Sequence, residues 1–444
     1  MIRPVRSLRR LHLPIIAGGV LLFLAGCADD APLDTLEPQG PSAEEIDSLS
    51  NLLFVLSGIV FVLIFGACAI IFTRYRVKDR DDDAWPDQVH GNNTLEIGWT
   101  IAPAVLMAVI GVLTLAVLFD LFDTEANAIT VDTGVEEIEW EPHVVVVGQQ
   151  WWWEYRYYFD DADVAEIREA VLASEDEVVF ARDLPPADIV TSGQMVIPAG
   201  QEVELSITAR DVIHSHWIPA LNGKRDAVPN RLHQWKLESD NPGVFFGQCT
   251  EYCGLSHSRM RMQVIALDPS DFQTWVSQQL EPAGPPSLEA ADWLASVSDD
   301  DPANDLPAPE ATPEERGLVA FTQNCASCHL IEGVNGSTYT GANQVSGAAP
   351  NLTHFASRTT FAGAILDTYE VGGDGSVRFN ANDMARWLRN PESVKAMDPD
   401  GLTGPRGMPN LGLDEDTIDD LIAYLETLGT VPGGEEVILQ SIVE

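Results

Sequence analysis

A Cys-x-x-Cys-His run in the last third of the chain is the first group of residues that could do chemistry. It reads Cys325-Ala326-Ser327-Cys328-His329, the spacing with which proteins attach a c-type haem through two thiols while the histidine binds the iron. A disulfide, a thioredoxin-like redox pair or half of a zinc site would use the same thiols. This region holds no second cysteine pair, which disfavours zinc. We therefore predict covalent haem c on Cys325, Cys328 and His329.

A haem that only transfers electrons needs a second axial ligand, and a methionine in that position raises the reduction potential. Three methionines follow the motif: Met384, Met397 and Met408. Met408 lies in an irregular Gly-Met-Pro-Asn loop before a helical stretch, which resembles the ligand loop of small cytochromes c. Met384 has helical spacing with Leu388 and is predicted to lie in the core. We predict Met408 as the ligand, with Met397 as the alternative.

A second cluster combines thiols, imidazoles and a thioether. Cys249, Cys253, His257 and Met260 follow one another in one short stretch, and His214 comes earlier in the chain. This soft ligand set suits copper rather than magnesium or calcium. Two cysteines in an exported domain often form a disulfide instead, and that is the alternative. The histidine and the methionine that follow at short intervals favour copper.

Several unlike segments must position these residues. The 444 residues include 25 lysines and arginines against 68 aspartates and glutamates, for a formal net charge of -43. So acidic a chain is poorly suited to binding phosphates, and we expect no nucleic acid partner. Hydrophobic residues make up 45% of the chain but are concentrated in long apolar stretches. A single soluble enzyme domain is therefore excluded.

The N-terminus has the pattern of an export signal. Residues 1–26 combine a basic start, an apolar run and small residues before Cys27, which is typical of a cleaved signal peptide. The Leu-Ala-Gly-Cys sequence resembles the bacterial lipobox, which implies that Cys27 becomes the lipidated first residue. An ordinary signal peptide with a chance cysteine is the alternative. Residues 27–50 would then form an exported N-terminal segment.

Residues 51–73 and 97–122 are apolar, and each stretch is close to the roughly 20 residues that cross a bilayer. The loop between them, 74–96, begins with Arg74, Arg76, Lys78 and Arg80. By the positive-inside rule this loop is cytoplasmic, so both ends of the chain lie on the outer face of a bacterial plasma membrane. We predict a two-helix transmembrane hairpin.

Beyond the second span, short β-branched runs bounded by glycine and proline predict an all-β domain over residues 129–280. Within it, the acidic stretch 160–188 is predicted to be a surface insertion. The Pro-, Ala-, Ser- and Asp-rich stretch 281–311 is predicted to be a flexible linker. A helical domain follows over 312–432, beginning with a capping box at Thr312. Residues 433–444 form a C-terminal tail.

Together these features resemble subunit II of haem-copper cytochrome c oxidases. The resemblance rests on the two spans, the β domain and the string Cys249-x3-Cys253-x3-His257-x2-Met260. The C-terminal domain resembles the cytochrome c that is fused to subunit II in the caa3-type variant. The resemblance implies a cupredoxin-like β-barrel or sandwich domain and an all-α, class I cytochrome c domain.

The resemblance also implies a dinuclear copper centre, CuA, and assigns its ligands. Cys249 and Cys253 would bridge both coppers, His214 and His257 would cap one copper each, Met260 would be a weak ligand, and the backbone carbonyl of Glu251 would complete the set. The string Val-Ile-His-Ser around His214 favours this residue over His216, which is predicted to be structural.

Two more positions resemble functional positions of the family. Trp151 opens an aromatic run in which electrons are implied to enter; a place in a strand core or an interfacial belt is the alternative, and is preferred for Trp152 and Trp153. Glu96, at the start of the second span, resembles a residue near a proton-uptake path into subunit I. An acidic residue stabilising a helix N-terminus is the alternative there.

The resemblance implies an electron-transfer subunit of a proton-translocating oxidoreductase. Electrons would pass from an upstream cytochrome c or cytochrome bc complex to haem c, then through CuA to haem a of subunit I, where dioxygen is reduced to water with proton pumping. Subunit I with haem a, haem a3 and CuB, subunit III and membrane lipid are the expected partners. The linker would let the cytochrome domain alternate between its donor and the copper domain.

Other classes of protein are disfavoured. A quinol oxidase subunit II would share the fold but lack the copper ligands. A nitrous-oxide-reducing enzyme would need a further His-rich catalytic domain, which nine histidines in the whole chain do not supply.

Overall fold

The computed structural model describes residues 32–76, 88, 90–124, 126–180, 183–287, 290–292, 294, 311–335, 349–401 and 406–442. The predicted signal peptide, Cys27 and most of the predicted cytoplasmic loop lie outside these residues. The described chain forms two long apolar helices, a β-sandwich and a mainly helical C-terminal domain. The predicted fold class is confirmed.

The two apolar helices are α1 (Pro41–Arg74) and α2 (Asn93–Phe122), and both are long and apolar enough to cross a membrane. Each begins before the span predicted from hydropathy. Proline occupies the first turn of α1, where its missing N–H costs nothing. The side chain of Asn92 caps α2 by accepting hydrogen bonds from the N–H groups of Thr94 and Leu95.

The start of α1 contacts the β-sandwich. Ser42 and Ala43 are buried, and Gln39 N–H donates to the Ala220 carbonyl of the sandwich at 2.7 Å.

The sandwich is built from two main sheets. The strands are β1 (Ile129–Asp132), β2 (Glu137–Trp140), β3 (His143–Gln149), β4 (Trp152–Tyr157), β5 (Ile189–Ser192), β6 (Gln194–Pro198), β7 (Val203–Ala209), β8 (His214–His216), β9 (Arg225–Ala227), β10 (His233–Leu237), β11 (Gly243–Gln248) and β12 (Arg261–Leu267). The five-stranded sheet has the order β10-β7-β3-β4-β5 and the three-stranded sheet has the order β11-β12-β6, while β1 pairs with β2 and β8 with β9.

Both faces of the five-stranded sheet are covered. Its inner face packs on the three-stranded sheet and on helix α4 (Pro269–Gln279), which buries Phe272 and Trp275 in the core. Helix α3 (Asp161–Ala173), inside the predicted acidic insertion, packs on Val145 and Val147 through Ile167. These two valines alternate in β3 with residues of the main core, so they lie on the other face of the sheet. The insertion therefore adds a layer to the sandwich.

The C-terminal domain is held together by helices α5 (Pro313–Asn324), α6 (Ala381–Arg389), α7 (Pro391–Val394) and α8 (Glu415–Glu426). The capping box predicted at Thr312 is confirmed, because Thr312 Oγ1 accepts from Glu315 N–H at 3.3 Å and Glu315 Oε2 accepts from Thr312 N–H at 2.9 Å. Two short hairpins add to the helical core: β13 (Thr360–Phe361) with β14 (Leu366–Asp367), and β15 (Tyr369–Val371) with β16 (Val377–Phe379). Strands of two or three residues are too short to produce a periodic pattern in the sequence.

The chain on either side of the C-terminal domain is also packed. Within the predicted linker, Ala283 and Ala290 are buried against the helical core of the C-terminal domain. After that domain, the predicted tail forms helix α9 (Gly434–Ser441), which returns to the sandwich and buries Val437 in its core. The C-terminal domain thus lies against the sandwich.

Candidate functional site

The soft ligand cluster is created by the turn between β11 and β12. Cys249 directly follows β11, Met260 directly precedes β12, and Cys249 N–H donates to the Met260 carbonyl at 2.8 Å, which closes the loop at its base. His257 begins a short 3-10 helix inside the loop. These residues, 249–260, are called the copper loop below.

The loop brings the predicted ligand atoms together. The two cysteine sulfurs lie 3.8 Å apart, and His214 Nδ1 lies 3.9 Å from Cys249 Sγ. On the other side, His257 Nδ1 and Met260 Sδ lie 3.6 and 3.8 Å from Cys253 Sγ. The Glu251 carbonyl oxygen lies 3.2 Å from Cys249 Sγ. All six predicted copper ligands are therefore in one place.

His214 comes to this cluster from a separate element, at the start of β8. Its ring lies so close to β3 that a Cβ on Gly148 would be 2.9 Å from the imidazole, so this position requires glycine. Asp211 Oδ1 lies 2.9 Å from His214 Nε2. This contact orients the ring with Nδ1 toward Cys249, as carboxylates do for metal-binding histidines. Burial alone would raise the pKa of Asp211, but the hydrogen bond and charge of His214 and the N–H groups of Gln150 and Val212 together outweigh it, so the pKa is lowered.

The two adjacent thiols shift each other's pKa in opposite directions. The hydrogen bond with Cys253 lowers the pKa of Cys249 to about 4, while the same contact raises the pKa of Cys253. Thiolates are the form of cysteine that binds metal. His216, by contrast, contacts Tyr155 Oη through Nε2 at 3.3 Å, and burial lowers its pKa to about 3. It is a neutral core residue next to the cluster.

This donor set fits copper. Sulfur and imidazole nitrogen are the preferred ligands of copper, and carboxylate side chains, which would suit a harder cation, are not among the closest ligand atoms. The ligand atoms of His214, Cys249 and Cys253 all lie within 4.8 Å of one another. Two thiols side by side, each with its own imidazole, provide donors for two ions.

The second site is a cavity of about 360 Å³ in the C-terminal domain. Cys325, Cys328 and His329 follow α5 directly and line the cavity. His329 Nδ1 is held by the Pro350 carbonyl at 2.8 Å, which leaves Nε2 available to a metal. Burial lowers the pKa of His329 and keeps the ring neutral. The other walls are mostly apolar, including Phe321, Leu352, Phe355, Leu388, Leu421 and Leu425.

Met408 also lines this cavity, as predicted for the second haem ligand, but so does Met384. Met384 is buried in α6 and packs in the helical core, whereas Met408 lies in the loop before α8. Met397 is not part of the lining and packs on Gly407 instead. Arg358, a buried cation in the cavity wall, hydrogen bonds to the Asn351 carbonyl. An apolar cavity with one histidine, two methionines and the buried guanidinium of Arg358 fits haem, whose ring is apolar and whose propionates are anionic.

One wall of the haem cavity belongs to the sandwich. Trp151, Trp152 and Gly193 line it from that side. Trp151 is buried, and its Nε1 donates to the Cys253 carbonyl at 3.1 Å. Gln150 Nε2 donates to the same oxygen at 2.7 Å. The tryptophan therefore touches both the haem cavity and the copper loop.

Two cations of the cytochrome domain reach this junction, and neither was predicted from the sequence. Lys395 Nζ donates to the carbonyls of Trp151 and, at 3.0 Å, Ala362. Burial lowers the pKa of Lys395 to about 7. Arg406, close to Met408 in the chain, forms an ion pair with Asp211 at 3.4 Å. Asp211 was missed as well, because one carboxylate among 68 acidic residues has no distinguishing pattern.

Glu96 lies far along the chain from these two sites, in the first turn of α2. Its Oε1 accepts from Asn92 N–H at 3.2 Å, which caps the helix. The capping alternative is thus observed, and the proton-path role stays a prediction.

Comparisons with known proteins match three parts of the chain. Residues 143–267 match the family described as Cytochrome C oxidase subunit II, periplasmic domain, and residues 36–117 match its transmembrane domain. Residues 314–429 match the Cytochrome c family. These ranges coincide with the sandwich, the apolar helices and the helical domain described above.

Whole-length relatives agree with these matches. Cytochrome c oxidase subunit 2 of Alkalihalophilus pseudofirmus is 30% identical over 409 residues, covering 92% of this chain and 94% of the relative. The protein of the same description from Bacillus sp. PS3 is 28% identical, covering 93% of this chain and 95% of the relative. The crystal structure of the periplasmic domain of subunit II of cytochrome oxidase of Bradyrhizobium japonicum is 27% identical, covers 31% of this chain and 93% of that one, and has a TM-score of 0.24. The chain belongs to the cytochrome c oxidase subunit II family, in a form that carries a cytochrome c domain, and its cofactors are the dinuclear copper and the haem c of those domains.

Proposed function

We propose that this subunit takes electrons from an upstream donor at its cytochrome domain and delivers them through its copper domain to haem a of subunit I. There dioxygen is reduced to water with proton pumping, and none of that chemistry is carried out by this chain. When bound, the haem and the dinuclear copper supply reversible one-electron chemistry. The polypeptide positions them and excludes water from between them.

One observation carries this proposal. Trp151 lines the haem cavity and also donates a hydrogen bond to the copper loop at the Cys253 carbonyl. A single buried side chain therefore joins the two redox sites. Trp151 is accordingly the residue that we propose as the point where electrons enter the copper domain.

The ligand roles follow from the positions of the donor atoms. Cys249 and Cys253 would bridge two coppers, since their sulfurs are adjacent and each faces a different imidazole, that of His214 or His257. Met260 and the Glu251 carbonyl would complete the coordination. Cys325 and Cys328 would hold haem c covalently, and the iron would take its axial ligands from His329 and Met408.

The electron path is tested by Trp151→Phe in the full-length, metal-loaded protein. Phenylalanine removes the Nε1 donor, so we expect electron transfer from the cytochrome to the copper domain to slow by about tenfold or more, equivalent to about 1.4 kcal/mol of activation free energy. Flash photoreduction of the haem, followed at the copper absorption bands, measures this rate. Trp152→Phe is the matched control, since Trp152 lines the same cavity and no described hydrogen bond links its side chain to the copper loop.

Metal analysis of the same preparations tests the copper assignment. We expect two coppers and one haem iron per chain, with the unpaired electron of the oxidised protein shared between both coppers. A single copper, a zinc ion or a Cys249–Cys253 disulfide in the metallated protein would show that the assignment is wrong. Equal rates in the Trp151 and Trp152 variants would remove Trp151 from the path.

The position in the membrane completes the proposal. The apolar helices α1 and α2 would place the copper and cytochrome domains on the outer face of a bacterial plasma membrane, next to subunits I and III. A lipid on Cys27 would anchor the N-terminus, and a cytochrome c or a cytochrome bc complex would supply electrons. Glu96, at the start of α2, would lie near the proton-uptake path into subunit I.

A further inference from the structure

Two glutamines lie side by side in the interior of the copper domain. Gln194 begins β6, Gln263 lies in β12, and the two are direct partners in the parallel pairing of these strands. Their exposed fractions are 2% and 1%. A buried amide side chain lowers stability unless its donor and acceptor are both bonded. The hydrogen-bond partners of these two amides therefore show which part of the chain must pack against them.

The partners come from the C-terminal part of the chain. Gln194 Oε1 accepts from the N–H of Thr359 at 2.9 Å and lies 3.2 Å from its hydroxyl oxygen, and Gln194 Nε2 donates to the Ser357 carbonyl at 3.3 Å. Gln263 Oε1 accepts from the hydroxyls of Thr359 and Thr360 at 2.7 and 3.1 Å. Gln263 Nε2 donates to the Ser441 carbonyl, at the end of α9, at 3.2 Å. Two side chains thus bind both the cytochrome domain and the helix that follows it.

The same interface includes a close backbone contact at the electron path. Arg261 N–H donates to the Gly363 carbonyl at 3.0 Å. A Cβ on Gly363, whose φ is +81°, would lie 3.1 Å from the Trp151 carbonyl oxygen, so only glycine allows this approach. Ser256 of the copper loop donates to the Ala396 carbonyl at 2.7 Å. These contacts fix the cytochrome domain against both Trp151 and the copper loop.

The segments that precede and follow the cytochrome domain also connect it to the copper domain by direct contacts. Before it, the Gln279 carbonyl, at the end of α4, bonds His354 Nε2 at 3.1 Å. After it, Val431 and Val437 pack into the core of the copper domain. A domain tethered at both ends has a high effective concentration at its docking site. Separation would also remove the Trp151 carbonyl from the buried Lys395 ammonium and leave it only the Ala362 carbonyl of its own domain.

We propose that the cytochrome domain stays docked on the copper domain throughout turnover, with Gln194 and Gln263 as the residues that position it. Electrons then pass between the two domains without any domain movement, and the external donor must deliver them to the part of the cytochrome domain that faces away from the copper domain. The docking itself needs no metal, whereas its consequence for electron transfer rests on the proposed function.

Hydrogen–deuterium exchange on the full-length protein tests the docking directly. In the unaltered protein we expect the amides of Thr359 and Arg261, whose acceptors lie across the interface, to be protected to a degree similar to the sandwich core. In the Gln194→Ala/Gln263→Ala double variant we expect exchange over residues 355–361 and 434–441 to be about tenfold faster or more. Gln273→Ala is the matched control, because Gln273 bonds Asp132 within the copper domain.

A second measurement separates positioning from a general loss of stability. In the unaltered protein, the rate of electron transfer from the cytochrome to the copper domain should not change with solvent viscosity. In the double variant that rate should fall and become dependent on viscosity, while the haem spectrum and the copper content stay normal. Rapid exchange at Thr359, or a viscosity-dependent rate, in the unaltered protein would overturn the proposal. Protected amides without bound copper would leave the docking intact and contradict only the proposed function.

Discussion

At the scale of single residues, Asp211 joins the two redox sites. It holds His214 Nε2 at 2.9 Å with one carboxylate oxygen, and with the other it accepts from Gln150 N–H at 2.8 Å and pairs with Arg406 at 3.4 Å. Arg406 belongs to the loop that carries Met408. One buried carboxylate therefore orients a proposed copper ligand and contacts the loop that holds the proposed haem ligand. We therefore expect a displacement of that loop to change the position of the His214 ring.

The methionine ligand gives the sharpest prediction at this scale. Met408→Leu should remove the axial thioether, abolish the weak near-infrared band of the oxidised haem and lower the reduction potential by on the order of 0.1 V, within the ~0.8 V range that axial ligands cover. Donor-driven oxygen uptake should fall while copper content stays normal. Spectra and a potentiometric titration measure these effects.

Met397→Leu is the control, because Met397 packs on Gly407 and is not part of the cavity lining. Its spectrum and potential should match those of the unaltered protein. A band that survives in the Met408 variant and disappears in the Met397 variant would reverse the ligand assignment. A band lost only in a Met384→Leu variant would assign the ligand to α6.

At the scale of elements, the acidic insertion contributes to stability. Ile167 of α3 is fully buried against β3, so Ile167→Ala should lower the free energy of unfolding of the copper domain by about 2–4 kcal/mol. Leu172, on the same helix, is 80% exposed, and Leu172→Ala should change it by less than about 0.5 kcal/mol. Thermal or urea unfolding measures both. Copper content should be unchanged, since no hydrogen bond described for α3 reaches the copper loop. Equal effects of the two substitutions would mean that α3 is not a packed layer.

Much of this architecture was predictable because its signals are local. The haem motif, the copper loop and the two apolar helices are each a single short stretch whose spacing or hydropathy reports one structure. Thr312 and Glu315 likewise predicted the start of α5. His214 is distant from the copper loop in the chain, and choosing it over His216 needed the resemblance to a family.

The docking was not predictable, for a physical reason. Gln194 and Thr359 lie far apart in the chain. Single polar residues that hydrogen bond across an interface do not recur with the spacing of a helix or a strand. The composition of residues 281–311 predicted a flexible linker, yet Ala283 and Ala290 of this stretch are buried against the cytochrome core. The amino-acid composition of a segment indicates how well it is solvated, but not whether individual side chains pack against a neighbouring domain.

At the scale of the whole molecule, charge should govern the encounter with the donor. The chain carries a net charge of -43, and α8, which lines the haem cavity, exposes Glu415, Asp416 and Asp419. Long-range attraction of a basic cytochrome should therefore speed association, and salt should screen it over about 10 Å at 0.1 M. Donor-driven turnover should fall as ionic strength rises, while transfer between the two docked domains should not change. Turnover that is flat or rises with salt would remove the steering role and leave adaptation to a saline habitat as the reason for the charge.

The shared wall of the haem cavity also constrains how the protein is made. Trp151, Trp152 and Gly193 line the cavity from the copper domain's side, so we expect the proposed haem on Cys325 and Cys328 to be attached before the two domains come together. In that order, the surface of the copper domain around Trp151 stays uncovered until the haem is in place. We therefore expect haem ligation to come first and closure of the junction last, completed by α9, which follows the cytochrome domain in the chain and packs on the copper domain.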